Sequence, residues 1–512
     1  MKARMQQGAA RARDFWVGLS FSRATLAKVL AVLTILSLVP LAIIALYNYP
    51  ADDDFGFTLP AATAWVQTHS LPAVLKAMVA TTLDTYRTWQ GYFVSTFLFA
   101  LNPLIFDIRL YFLSNWAQLL LLCLSVGYAL KGVTRHQLKA PRAAFWISYA
   151  AVLLLCVQFM PHIGYGLFWH NGGNYVTAVC TLLLTLGLLL RLGGAEGHRR
   201  RALRSVLAPV CGFLLGGMFF GPALAGMVML GLVAVGSFAT RSRIRWQSLM
   251  TLLAFGASFA ISFLSPGNAL RVGADFTPTG VPYAVLASVQ EALKLTGQWL
   301  SPQLLAAGML ILPALAQPLQ QSAQRFRHPL LVGVLLFGTF AASLTTGLYT
   351  GVGYTFERYH NAVYLYFVLM AIGCMIYWAG ALIRLAERRA QAGVQAAQAL
   401  LEAGKTLGQR FGALYLSICL ALLFLGGLTF PIMNTASISA TRSLVSGEAA
   451  TFRQEMAQRA EYIRVTDSDA VAIQPLSVQV NVFKYDRLPF QGTYGRVRYM
   501  KWYYELFHSA GQ

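Results

Sequence analysis

The chain is short of charge. Of its 512 residues only 12% are charged and only 19 are acidic, against about 25% charged in a soluble protein. That excludes an ordinary solvated globule. Cysteine is scarce too: Cys123, Cys156, Cys180, Cys211, Cys374 and Cys419 all fall within apolar runs. They read as small core residues, with no disulfide framework and no metal-ligand spacing. No zinc-finger spacing and no basic stripe interleaved with aromatics is present, so the net charge of +21 does not point to nucleic acid. Internal repeats and inverted pairs of broken helices are also missing, which removes a common signature of secondary transporters.

What the chain has in quantity is apolar sequence. It is 57% hydrophobic with a mean hydropathy of +0.55, and apolar runs of about 20 residues recur along it. The spacing predicts spans near 28–47, 109–130, 143–160, 174–191, 203–220, 222–239, 247–264, 303–317, 329–347, 361–385 and 411–432, about eleven in all. None of them contains an acid. The basic residues lie between them in alternation: 25 of the 40 fall in one set of linkers and only six in the other. That asymmetry places the basic set, and residues 1–27 with it, in the cytoplasm. The apolar run after the basic N-terminus lacks a small-x-small cleavage site and reads as a retained first span.

The first outer loop, 48–108, predicts helices lying in the membrane plane. Pro60 suits the first turn of one. Pro72 opens another, with Leu75, Met78, Val79, Leu83 and Tyr86 at helical spacing. Residues 72–104 must stay outside or dip in and return, because the span at 109–130 ends in Lys131, Arg135, Lys139 and Arg142. From 434 to 512 the composition turns polar. A helix over 447–462 and strands at 469–473 and 478–483 suggest a small α+β domain on the outer face. It is too small for a large core of its own, so it should dock on the loops. The expected fold is thus an all-α polytopic membrane protein with this outer domain attached, its transmembrane domain running over 28–433.

One stretch stands apart: Asp52, Asp53 and Asp54, followed by Phe55-Gly56-Phe57, directly after the first span. Carboxylates at a membrane edge are costly to desolvate. Two readings fit the triplet, a solvated acidic turn and a general base whose pKa is raised by its neighbours. The other outer loops add polar residues: His162, Trp169, His170, Asn171 and Asn174; Asn268 and Arg271; Glu357, Arg358, Tyr359 and His360. Each alone fits an interface anchor. Together they supply a carboxylate, cations for a phosphate, and Trp, Tyr and Asn for a sugar.

These residues resemble the GT-C membrane glycosyltransferases, and most closely a bacterial GT-C-like group. The likeness rests on Asp53-Asp54-Phe55-Gly56-Phe57, Trp89-Gln90-Gly91-Tyr92, Trp169-His170-Asn171-Gly172, Pro266-Gly267-Asn268-Ala269-Leu270-Arg271, Arg358, and Lys501-Trp502-Tyr503-Tyr504. The chain departs from the pattern in carrying a third Asp and in placing Tyr92 where an Arg is expected.

The resemblance implies transfer of a sugar from a polyprenyl-phosphate carrier to a glycan, lipid or protein acceptor. The reaction would invert the anomeric carbon at the periplasmic face of a bacterial inner membrane. It implies Asp53 as base, with Asp54 and Asp52 beside it; Arg271, Arg358, His360 and Lys294 for the donor phosphate; and His162, Trp169, His170, Asn171, Asn174, Asn268, Glu357 and Tyr359 for sugar or acceptor. A divalent cation on the Asp run is chemically reasonable, but the sequence establishes no cofactor. A transporter or flippase of a lipid-linked sugar is the competing reading.

Overall fold

A computed structural model gives the fold and describes residues 19–194, 197–354, 356–428, 430–466, 475–484 and 494–510. It is built of helices. Among the described residues the only strands are Ser20–Ser22 and Arg410–Gly412, a short antiparallel pair that ties the start of the first helix to the start of a late one.

Among the described residues, eight helices are long and apolar enough to cross a membrane: Arg23–Tyr47, Ile108–Gln137, His170–Leu192, Phe220–Ala239, Arg245–Phe263, Pro302–Gln321, Pro329–Tyr349 and Glu357–Gln391. The other three expected spans are also helices. Arg142–Gln158 and Ala413–Gly426 are apolar but short. His198–Gly216 opens on His198, Arg199, Arg200 and Arg201, which dilute its apolar character.

The helix His170–Leu192 is buried along most of its length. Small residues let its neighbours approach, as is common between membrane helices. A Cβ on Gly173 would lie 2.2 Å from the Gln118 side chain, and one on Gly187 2.4 Å from the Tyr128 ring. The first helix is the opposite case. Val32, Leu33, Ile35 and Leu36 are exposed apolar residues, as a lipid-facing surface requires.

The first loop folds as two helices, Asp53–Thr68 and Leu71–Thr88, and a shorter one, Phe93–Ala100. On the second, Leu71, Leu75, Val79 and Leu83 form the exposed apolar stripe, while Val74, Met78, Thr82 and Thr85 face the protein. Met78 therefore belongs to the buried face rather than to the outward stripe. A further helix, Val281–Trp299, has no counterpart in the sequence reading. Its buried face is Ala284, Ser288, Ala292 and Leu295, and Glu291 and Lys294 interrupt its apolar run.

The region after 434 holds three helices among its described residues, Ala436–Val445, Glu448–Val465 and Tyr494–Ser509, and an irregular stretch over 475–484. The expected strand at 469–473 lies outside the described residues. The stretch 478–483 is not a strand. Val480 and Val482 are buried either side of an exposed Asn481, but Phe483 and Lys484 are buried as well, so the in-out alternation of a strand stops there, and Phe483 N–H closes a turn on the Val480 carbonyl at 2.9 Å. Ala436, Ala440, Phe452, Met456 and Phe483 join the main apolar core. Tyr503 and Phe507 pack instead with Phe55, Ala62, Leu104 and Tyr111. The tail thus covers the first loop.

Candidate functional site at the loop end of the bundle

The loops expected on the outer side meet one another. Asn268 Oδ1 accepts from Gly91 N–H at 3.0 Å, and its amide donates to the carbonyls of Ser262 and Phe263. The contact is tight: a Cβ on Gly91 would lie 1.8 Å from the Ser262 carbonyl oxygen, and one on Gly267 2.6 Å from Trp89 N. Asn361 clamps another loop, accepting from His162 N–H at 2.9 Å and donating to its carbonyl at 2.7 Å. The linkers rich in basic residues meet at the other end. There Gln137 donates to the Leu190 carbonyl and Arg23 to the Gly408 carbonyl.

The three aspartates have three different environments. Asp52 has φ 46° and ψ −117° just before the helix begins, a region that disfavours residues with a side chain. Its carboxylate accepts from Lys484, which sits 4.1 Å above the Trp169 ring. Asp54 is fully buried. Its Oδ2 accepts from the Tyr111 hydroxyl at 2.6 Å and from Ala51 N–H, and its Oδ1 from Asn171 N–H at 3.2 Å. Burial pushes its pKa up to about 7, the charge of Asp53 adds to the rise, and the three donors oppose it. Asp53 lies in the helix's first turn, half-buried, where the helix dipole favours an anion. Its charge acts on Arg358, Tyr92 and Tyr175.

Arg358 feels the charge of Asp53. It lies 5.1 Å from the centre of the Trp169 ring, and its Nε is buried with no hydrogen-bond partner. Trp169 is fixed by its indole N–H, which donates to the Ala51 carbonyl at 3.2 Å. Both ends of the Asn171 amide are also buried and unpartnered, an arrangement that in native proteins usually answers to a ligand or a water. Tyr92 packs at 4.4 Å against Phe219, and Tyr175 stacks at 3.7 Å on the same ring. Burial raises the Tyr92 pKa, while Arg271 and Arg358 pull it down. These side chains form one electrostatic neighbourhood: Asp53, Arg358, Arg271, Tyr92 and Tyr175.

Other expected site residues are engaged elsewhere. His170 Nδ1 lies 2.6 Å from the Ser114 hydroxyl and its Nε2 2.8 Å from the Leu98 carbonyl, so the ring is a strut. Asn174 donates to the His170 carbonyl at 3.1 Å. Tyr359 donates to the Ser343 carbonyl and contacts the Thr346 hydroxyl. Arg271 pairs with Asp275 at 2.7 Å and lies 5.3 Å from the Trp89 ring centre, so part of its charge is already met. Lys294 is exposed and pairs with Glu291, which also accepts from the Tyr354 hydroxyl at 2.6 Å. His360 forms a separate group, its ring 5.5 Å from His162 and 5.2 Å from Trp299, with Glu357 nearby. Burial lowers the His162 pKa and Glu357 raises it.

Tyr111, Tyr175 and Lys484 are the participants that the sequence reading omits. A Tyr at a span end reads as an interface anchor, and Lys484 is one of nine basic residues in the tail. Only their partners reveal them. The carboxylates do not gather for a metal. Asp52 and Asp54 are taken by protein donors, and no group of three His, Cys, Asp or Glu suits an ion among the described residues. Comparison of the chain with family models, curated proteins and solved structures gives no match.

Proposed function

We propose that this is a membrane glycosyltransferase of the GT-C kind that takes its sugar from a polyprenyl-phosphate carrier. It would act at the periplasmic face of a bacterial inner membrane, with all eleven expected helices crossing and the tail outside. The observation that carries the reading is the half-buried carboxylate of Asp53 acting electrostatically on Arg358, whose buried Nε has no hydrogen-bond partner, together with the buried, unpartnered amide of Asn171.

In this mechanism Asp53 accepts the proton of an acceptor hydroxyl as that oxygen bonds to the anomeric carbon. The bond from that carbon to the phosphate oxygen breaks, and its electron pair stays on the lipid phosphate. Arg358, assisted by Arg271, stabilises the charge that develops there. Phosphate is already a good leaving group, so the second carboxylic acid of a glycosidase is not required. Asp54 holds Asn171 and Tyr111 in place and is not the base.

The test is mass spectrometry of surface glycans, glycolipids and glycoproteins from a deletion strain complemented with wild type or Asp53→Asn. The expected result is a glycan lost on deletion, restored by wild type, and reduced about a hundredfold or more with the Asn variant. Full restoration by Asp53→Asn at equal protein level would overturn the assignment.

A further inference from the structure

At the end of the bundle opposite the candidate site, a cavity of about 630 Å³ opens between the start of the helix Pro329–Tyr349 and the end of Glu357–Gln391. Arg325, Arg327 and Arg388 line it and are exposed, with no carboxylate partner among the described residues. The fourth arginine, Arg384, has another task. Its guanidinium pairs with Glu387 at 2.8 Å and donates to the carbonyls of Gln320, Ser322 and Gln324.

The loop that presents Arg325 and Arg327 is pinned. The Tyr377 hydroxyl donates to the Arg327 carbonyl at 2.6 Å and the Trp378 indole to the Pro329 carbonyl at 2.9 Å. Phe326 and His328 take left-handed φ values of 44° and 57°, a conformation that costs free energy in residues with a side chain. Phe326 is nevertheless buried, packed so closely that a Cβ on Gly380 would lie 2.7 Å from its ring. Alternation of the chain about the buried Phe326 leaves Arg325 and Arg327 outside.

The rest of the lining is apolar and faces outward. Leu330 is 78% exposed, Leu382 63%, and Leu385 and Trp378 nearly half. On a membrane-spanning bundle, such exposed apolar side chains lie against acyl chains. A water-borne phosphate or nucleotide has no use for that wall. A ligand with an anionic head and hydrocarbon tails satisfies both halves of the site.

We propose that this cavity binds an anionic glycerophospholipid, with the phosphodiester among Arg325, Arg327 and Arg388 and an acyl chain along Leu330 and Leu382. Guanidinium groups suit phosphate oxygens through paired N–H donors, and basic pockets between spans at the cytoplasmic side are a recurrent form of lipid recognition. The inference is independent of the glycosyltransferase reading.

The test uses the purified full-length protein in detergent, with lipid adducts counted by native mass spectrometry during titration with phosphatidylglycerol or phosphatidylcholine. Wild type should retain phosphatidylglycerol preferentially. The triple variant R325Q/R327Q/R388Q should weaken that retention about a hundredfold and the single R388Q about fivefold. A control at another basic cluster, R199Q/R200Q/R201Q, should leave it unchanged. Leu382→Gln should weaken retention of the lipid but not of glycerol 3-phosphate. Should the triple variant fail to fold, the single variant decides alone. Undiminished retention in R388Q, equal loss in the control, or displacement of the lipid by millimolar glycerol 3-phosphate would overturn the proposal.

Discussion

Replacing Asp54 with Asn tests the most deeply buried charge near the candidate site. In the native chain three donors converge on its two oxygens: Tyr111 O–H, Ala51 N–H and Asn171 N–H. An amide can offer a carbonyl to one side only. If its NH2 faces Asn171, that backbone N–H is orphaned. If it faces Tyr111, the hydroxyl can turn but Ala51 N–H cannot. Either way one buried donor is left unpaired, at about 1–3 kcal/mol. Below the folded pKa the wild-type side chain's own proton adds to this loss. A carboxyl whose pKa rises from 3.8 to about 7 on folding binds its proton more tightly in the folded chain. Its stabilising contribution is complete below pH 3.8 and is lost as the pH climbs through about 7. The whole interval corresponds to about 4 kcal/mol, and the part between pH 5 and 8 to about 3 kcal/mol. Asn has no such dependence. Asp54→Asn should therefore be clearly less stable than wild type at pH 5, with the gap narrowing by about 3 kcal/mol by pH 8. Tryptophan-fluorescence melts of both proteins in one detergent across pH 5 to 8 measure it. A constant gap over that range would refute the buried, proton-binding description of Asp54.

Two other outcomes follow from the geometry. Arg358→Lys should lower transfer more than Arg271→Lys, because Arg271 already pairs with Asp275 while Arg358 keeps an unpartnered Nε; kinetics of both variants with a lipid-linked sugar donor would check the order, and equal losses would contradict it. Gly91→Ala should destabilise by about 1–3 kcal/mol or more, since its Cβ would lie 1.8 Å from a backbone oxygen, whereas Gly256→Ala, with open space around it, should be silent in the same melts.

Much of the architecture was legible because helices in a membrane announce themselves. Long apolar runs, with basic residues gathered in alternate linkers, are set by the solvent on either side. Ala413–Gly426 and Arg142–Gln158 came out short because hydropathy marks where a chain may be apolar, not where the helix stops. Val281–Trp299 escaped because its buried face is mostly small, with Ala284, Ser288 and Ala292 beside Leu295, residues suited to close approach more than to hydrophobicity. The cross-link of Ser288 to Thr345 at 2.9 Å shows how near the neighbouring helix comes. The site divided along similar lines. Asp53 and Arg358 could be singled out by chemistry and position in the chain. That His170, Asn174 and Asn268 serve as struts could not, since it depends on which carbonyl each side chain happens to reach. The tail strand at 478–483 failed for a related reason: its alternation of buried and exposed residues stops at Phe483, which is held by Phe168, Phe452 and the loop at Gly164.

That docking bears on how the triplet should be dissected. Lys484 comes from 432 residues further along the chain and closes on Asp52, with side-chain exposures of 6% and 11%. Its ammonium group also lies over Trp169, the ring that Arg358 approaches. Breaking a buried pair from one side leaves an uncompensated charge, at about 3–5 kcal/mol, while removing both partners costs much less. With Lys484 in place, Asp52→Asn should loosen the tail. The two explanations separate in a double-mutant cycle. If Asp52 is a latch, Lys484→Met should restore much of the stability and transfer lost in Asp52→Asn. Asp53→Asn should gain nothing from the same second change, because a missing base is not replaced by releasing the tail. Measured as transfer and melting temperature in the four proteins of each cycle, rescue at Asp52 alone separates the latch from the base. Failure of Lys484→Met to rescue Asp52→Asn would remove the tail from the account of the site.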